Sequence, residues 1–421
     1  MTTTKNNEHK KLNFSSEREQ SQACLNSAEH EKNQGRKVLN VPNLRFPEFQ
    51  GEWKNTTIGE IATIKNGPFG SVLHAEDYVD EGMPIVTTEH FKSGNLPLSK
   101  NGIPQVSEDD YCRLKGYRLE TDDIVFSRVG SVDINAHVEH VQQGWLFSGR
   151  VLRVRPIKSV NSLCLHYVLS TESVKRDIRN RAVGQTMPSI NTPILSNTGI
   201  YMSQSEAEQK KIANLLSIID ERISTQNKII EDLKKLKSAI SKKLLCNDKW
   251  TTYKIQDIAE IGRGRVISSV EIDRQKHPLY PVYSSQTSNN GIMGYLDNYM
   301  FDGEYITWTT DGANAGTVFY RIGKFNCTNV CGTLKILPKF DCYFVSLVLQ
   351  QATQKYVSSN LANPKLMNNT MASIKIRMPN IETQKQLSKV FQTLDSCLLV
   401  HQRTCKMYLS EKQYLLRQMF I

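Results

Sequence analysis

Residues 212–245, "IANLLSIIDERISTQNKIIEDLKKLKSAISKKLL", contain no Pro or Gly. Apolar residues recur in alternating steps of four and three, at Ile212, Leu216, Ile219, Ile223, Ile230, Leu233, Ile240 and Leu244. That spacing predicts a long helix carrying a coiled-coil seam. Two rungs of the seam, Gln226 and Lys237, are polar. A second copy of the same steps lies 175 residues further on, at Leu387, Phe391, Leu394, Leu398, Cys405, Tyr408, Leu415 and Met419. In that copy His401 falls on Gln226 and Lys412 on Lys237. Two seams broken at the same rungs predict that the chain holds both partners of one helix pair.

The repeat extends beyond the helices. "WKNTTIGEIATIKNG", opening at Trp53, aligns without a gap on "WTTYKIQDIAEIGRG", opening at Trp250, so that Ile58 meets Ile255, Ala62 meets Ala259 and Gly67 meets Gly264. Each copy continues with an acidic residue, a buried strand and a polar Gly turn, "DDIVFSRVGS" and "GEYITWTTDGA". A strand pair, a helix and a Pro-containing entry ("MPSIN" or "NPKLMNN") follow before the long helix. The chain reads as an α+β protein: two tandem β-rich domains separated by two long helices that pair as an antiparallel intramolecular coiled coil, with pseudo-twofold symmetry. The expected boundaries are a polar disordered tail at 1–40, a first domain at 41–204, a helix at 205–249, a second domain at 250–380 and a helix at 381–421. Residues 41–52, "VPNLRFPEFQGE", read as an extended arm on the first domain. Helices of about 33 residues span roughly 50 Å, or at most about fifteen base pairs of duplex.

Composition narrows the partners. The net charge of +11 and a pI near 9.1 favour a polyanion, with nucleic acid first. No run of about eighteen apolar residues is present, so no membrane span is expected. The opening "MTTTKNNEHKKLNFSSEREQ" lacks the apolar core of a signal peptide, and a cytoplasmic location is expected. Nine cysteines without framework spacing read as reduced thiols. Cys327 and Cys331 lack a second ligand pair, so no metal site is expected.

The ordered set of "LRFPEFQGEW", "IGEIATIKNG", "IQDIAEIGRG" and "PSIN…SEAEQKKIA", in the sequence domain, helix, domain, helix, resembles the specificity subunits of Type I restriction–modification systems. The resemblance covers residues 41–421. The second copy departs from it in having "NPKLMNN" where "PSxN" is expected. The resemblance implies a DNA-reading subunit: each recognition domain reads one half of a bipartite double-stranded site, and the helices set the spacing. It further implies two methyltransferase subunits docked on the helices, joined in the full complex by motor/nuclease subunits. No cofactor is expected on this chain; S-adenosylmethionine, ATP and Mg2+ belong to the partner subunits. A non-enzymatic scaffold joining two β-rich protein-binding domains is the alternative reading of the repeat itself.

Catalytic signatures are missing. There is no G-x-x-x-x-G-K-[ST] loop, no Asn/Asp-Pro-Pro-aromatic tetrad and no H-E-x-x-H helix. The expected role is that of a non-catalytic subunit. Base edges are read by polar and cationic side chains on loops leaving strands. The candidates in the first domain are Lys65, Asn66 and Ser71 around "KNGPFGS", Thr87, Thr88 and His90, and Arg128, for which an ion pair with Asp122 or Asp123 is equally consistent. Arg179 and Arg181 are candidates for phosphate contact, or equally for complementing a helix end. The second domain offers Arg263, Arg265, Tyr283, Ser285, Gln286 and Asn314, the last more consistent with a turn role. Gln226 and His401 are expected to meet at mid-coil and fix its register. Lys237 and Lys412 are expected to face outward, towards partner subunits or water.

Overall fold

The computed structural model describes residues 40–68, 73–245, 248–358 and 363–421. The expected disordered tail, apart from Asn40, and Ser71 lie outside the described residues. The chain divides into two compact units, one running to Asp220 and including Leu409–Ile421, the other Glu221–Tyr408. Each unit contains one β-rich body and a part of both long helices, so the compact units cut across the covalent order.

The strands of the first unit are β1 (Lys54–Thr57), β2 (Ala62–Asn66), β3 (Tyr78–Val79), β4 (Met83–Val86), β5 (Gln105–Val106), β6 (Ile124–Ser127), β7 (Asn135–His137), β8 (Leu146–Phe147), β9 (Val151–Pro156) and β10 (Gly199–Met202). They form a β1–β10 pair and two four-stranded sheets, ordered β2-β9-β6-β7 and β3-β5-β4-β8. The second unit holds β11 (Thr251–Lys254), β12 (Ala259–Arg263), β13 (Tyr280–Tyr283), β14 (Ile292–Leu296), β15 (Glu304–Thr309), β16 (Val318–Ile322), β17 (Asn326–Cys327), β18 (Cys331–Ile336) and β19 (Lys375–Met378). It repeats the plan with a β11–β19 pair, a sheet ordered β12-β18-β15-β16, and a smaller sheet ordered β14-β13-β17.

The aligned residues do the same work in both bodies. Ile64 pairs with Val154, and its counterpart Ile261 pairs with Leu334. Ile58 and Ile255 are fully buried. Gly67 and Gly264 mark the point where the first strand crosses close to another backbone segment. A Cβ on Gly67 would lie 2.0 Å from the Ser148 carbonyl oxygen, and one on Gly264 would lie 2.1 Å from that of Cys327. The repeated Gly is therefore a packing requirement, because any side chain would displace backbone.

The long helices run over Glu206–Leu244 and Ile381–Gln418, 39 and 38 residues, so both begin upstream of the apolar seam. The Ser205 hydroxyl accepts from the Glu208 amide and the Asn380 side chain accepts from the Thr383 amide, each satisfying an otherwise orphaned helix-end donor. Every seam position except Leu244 is buried or half-buried. Within the second unit the helices run antiparallel, with Gln226 opposite His401 and Asn227 opposite Cys405. Within the first, Asp220 meets Lys412.

One rung above the seam, each helix places a buried glutamine at its root. Gln209 accepts from the Asn161 amide at 2.8 Å and donates to the Ser203 carbonyl. Gln384 accepts from the Asp341 amide at 3.0 Å and donates to the Pro379 carbonyl. A buried amide with both ends matched specifies geometry, since losing either partner leaves a desolvated polar group.

The arm at 41–52 packs chiefly on the root of the first long helix. Arg45 binds Glu208 through two bonds of 2.7 and 2.9 Å, Lys211 lies 4.5 Å over the Phe46 ring, and the Leu44 amide donates to Gln418. Burial alone would raise the Glu208 pKa, but its bonds to Arg45 and Ser203 hold it below the ordinary carboxylate value.

Two outcomes follow from this packing. Gly264→Ala should lower stability by about 1–3 kcal/mol, the usual cost of overpacking, read as a lowered Tm. His166 is buried, with Nδ1 2.6 Å from the Asn135 side-chain oxygen. Burial, with the nearby charges of Lys412, His137 and Lys175, pushes its pKa well below 6.5. The unfolded chain then binds the extra proton, so stability present above about pH 6.5 is lost on acidification. His166→Gln should flatten the fall of Tm between pH 7.5 and 5.5.

Candidate nucleic-acid interface

In the first unit, the loops leaving β2, β4, β6 and β8 converge on a cleft of about 570 Å3, lined by Pro68, Thr87, Thr88, Arg128, Ser148 and Arg150 among others. Candidate residues of two separate loops are thus brought together, Thr87 and Thr88 after β4 and Arg128 after β6, while Lys65, Asn66 and His90 are not among the residues lining the cleft. Arg128 forms neither of the ion pairs considered for it. Its Nη1 donates to the Gly149 carbonyl at 3.0 Å, while Asp123 binds Arg155 and Asp122 binds His137. Arg128 Nε, the Ser148 hydroxyl and the Asn66 side-chain oxygen are buried without a hydrogen-bond partner among the described residues. Buried polar groups without partners cost free energy, and two of these three residues, Arg128 and Ser148, line the cleft. Lys65 donates to the Gly116 carbonyl and lies over the Tyr117 ring. His90 accepts from the Thr87 amide through Nδ1, and burial lowers its pKa.

Ser148, Gly149 and Arg150 were absent from the sequence candidates. Their signal was present, since "FSGR" is a polar Gly turn following a buried strand.

The second unit assembles the same parts. Arg263, at the end of β12, donates to Thr310 and Asp311 after β15. Asn314 donates to the Ser285 carbonyl at 3.1 Å, joining the loop after β15 to the loop after β13. Gln286 donates to the Ile292 carbonyl. Asn314 thus serves as a bond between loops. Tyr283 lies beneath Arg321, whose guanidinium sits 3.6 Å from the ring and bonds Thr307. Arg321 is buried, has no carboxylate partner among the described residues, and its pKa is pushed down by burial. A lone Arg in a strand, as in "VFYRI", carried no signal of this.

The Pro-containing entries explain the rest of the repeat. Gly130 donates to the Pro188 carbonyl and Ile190 to the Arg128 carbonyl. In the second unit Gly312 donates to the Pro364 carbonyl and Leu366 to the Thr310 carbonyl. "NPKLMNN" departs from "MPSIN" in spelling but makes the same two backbone bonds. Each ties a neighbouring segment to the loop that follows the central strand.

Several candidate cations are already matched. Arg179 binds Asp133 and Glu172, Arg181 binds Asp177 and the Asn197 carbonyl, and Arg265 binds Glu271. Lys237 and Lys412 do not face outward as expected. Lys237 binds Asp395 and Lys412 binds Asp220 at 2.6 Å, each on the opposite helix. An acidic residue within reach makes an ion pair more favourable than extension into water. His401 Nδ1 lies 2.7 Å from Gln226 Oε1. Among the described residues no group of three or more His, Cys, Asp or Glu could hold a metal, and no helix is long and apolar enough to cross a membrane.

Two β-rich bodies with matching loop clusters, each rooted on antiparallel helices, define a tandem recognition protein. The chain belongs to the Type I restriction–modification DNA specificity family, whose domain model matches residues 50–235 and again 247–406. The family is one of specificity subunits, generally non-catalytic. The N-terminus of a candidate type I specificity subunit of Mycoplasma pneumoniae is 46% identical over 147 residues, 34% of this chain and 76% of that N-terminal piece. The specificity subunit of the MpnII type I restriction enzyme from the same organism is 42% identical over 145 residues, 34% of this chain and 43% of the relative. The fold is similar to that of a type I S subunit from M. genitalium, with a TM-score of 0.67 and 18% identity, over 90% of this chain and 99% of that one.

The polar mid-coil pair generates a simple expectation. Replacing Gln226 and His401 together by Leu should raise the Tm, since a polar seam rung costs stability; thermal melting of the double variant checks it.

Proposed function

We propose that this chain is the DNA-reading subunit of a Type I restriction–modification complex, with each unit reading one half of a bipartite duplex site. The observation that carries this reading is the duplicated loop cluster. In both units the loop after the central strand is bonded to a Pro-containing segment and lies beside cationic side chains at strand ends. In the first unit unpartnered Arg128 and Ser148 atoms border an open cleft, which suits acceptors and donors on base edges. The net charge of +11 supplies the phosphate attraction that positions the protein without specifying sequence.

The helices set the gap between half-sites, with Gln226 and His401 holding their register. Two methyltransferase subunits dock on the chain, and motor/nuclease subunits complete the complex. S-adenosylmethionine, ATP and Mg2+ are bound by those partners. The chain itself contributes recognition and geometry.

Affinity of the assembled complex for its site should fall steeply with salt, with a log–log slope of about −0.9 per phosphate neutralised. Arg128→Ala should weaken binding by about 1–3 kcal/mol and relax sequence preference in one half-site only. Binding measured on duplexes mutated in one half at a time checks this. Equal loss of selectivity in both halves would contradict a cleft private to the first unit.

A further inference from the structure

The two lysines at the polar rungs belong to a repeated three-way contact. In the first unit Asp220, on the first long helix, accepts from Lys412 on the second helix at 2.6 and 2.8 Å. It also accepts from the Tyr167 hydroxyl at 2.8 Å. In the second unit Asp395, on the second long helix, accepts from Lys237 on the first helix and from the Tyr343 hydroxyl at 2.5 Å. The two aspartates stand 175 residues apart, as do the two lysines, so they share the offset of the seam.

The tyrosines do not. Tyr167 stands six residues beyond its helix cap Asn161, whereas Tyr343 stands two beyond its cap Asp341. The position matching Tyr167 is Leu347, and the position matching Tyr343 is Leu163. The two bodies thus reach equivalent coil carboxylates from different turns of their helices. Inheritance of an aligned residue does not account for that, and a requirement for the contact itself does.

Each tyrosine is tied rigidly to its reading loop. The helix bearing Tyr167 is bonded to β7 through His166 and Asn135 and to the turn that leads into β6 through Ser162 and the Asp122 carbonyl. β6 leads directly into Arg128. In the second unit the ring of Tyr343 packs edge-on against Tyr320 of β16. Just beyond the same helix, Thr353 bonds the Gly316 carbonyl of the loop after β15.

We propose that Tyr167–Asp220–Lys412 and Tyr343–Asp395–Lys237 are positioning clamps that set where each reading body stands along the helix pair, and so determine the permitted gap between half-sites. This rests on the bipartite reading proposed above. A carboxylate shared by a domain hydroxyl and a lysine of the opposite helix is matched in one placement, and a slip of either element leaves it unpaired.

The test is sequencing of methylated motifs in cells carrying this chain with its modification partners, as wild type, Tyr167→Phe, Tyr343→Phe and the double variant. These changes remove only hydroxyls and leave the packing intact. The double variant should methylate the same two half-sites across gaps one base pair shorter or longer than the wild-type gap, with each single variant intermediate. Asp220→Asn with Asp395→Asn should relax the gap further. A wild-type motif that is split, together with variants keeping its single gap at any level of methylation, would overturn the clamps alone. A wild-type complex giving no split motif would overturn the bipartite reading, and the clamps with it.

Discussion

Antiparallel pairing of two long helices is the constraint on which the rest depends, and apolar contact alone specifies it poorly. Leu and Ile rungs tolerate a shift of one heptad at modest cost, because one apolar contact replaces another. Polar rungs do not, because a shift strands a hydrogen-bonding group. In this chain the rungs at Gln226 and His401, and at Lys237 and Lys412, are each matched across the pair within their own unit. The breaks in the seam are the positions at which polar groups meet across the helix pair.

The same logic governs how the β-rich bodies are rooted. The Gln209 and Gln384 amides each accept from the capping residue of a domain helix and donate to the backbone just before the long helix. The β1–β10 and β11–β19 pairs join the strand that opens each body to the strand that leads into its long helix. Placement of the loop clusters thus passes through backbone ladders and matched polar groups, with the apolar core supplying bulk stability. Loops rich in Gly, Asn and Thr can then vary without disturbing the root that holds them.

Much of this was legible in the residues. Heptad spacing located both helices, and the gapless match at Trp53 and Trp250 located both bodies. The match of Gly67 with Gly264 was visible in the residues, but that neither position has room for a side chain is shown only by the close carbonyl contacts. Of the polar residues named on loops leaving strands, Thr87, Thr88 and Arg128 line one cleft, whereas Lys65 lies within β2 and turns to the Gly116 carbonyl. The partners of the charges were not legible. Lys237 and Lys412 read as solvent-facing because their carboxylates lie 158 and 192 residues away. Arg179 and Arg265 are matched by acids whose side-chain directions depend on the fold, whereas Arg181 meets Asp177 one turn away on its own helix.

The sequence by itself determined the periodicities: a helical seam written twice, two β-rich bodies with the same strand plan, and a basic excess suited to DNA. These are local or additive properties, and spacing and composition encode them directly. The tertiary structure decided which polar groups meet. Only folding brings Tyr167 and Tyr343, from unmatched positions, to the matched carboxylates of Asp220 and Asp395. Hydrogen bonds need a distance and a direction, and residues far apart in the chain acquire both only when the packed elements fix their side chains in space.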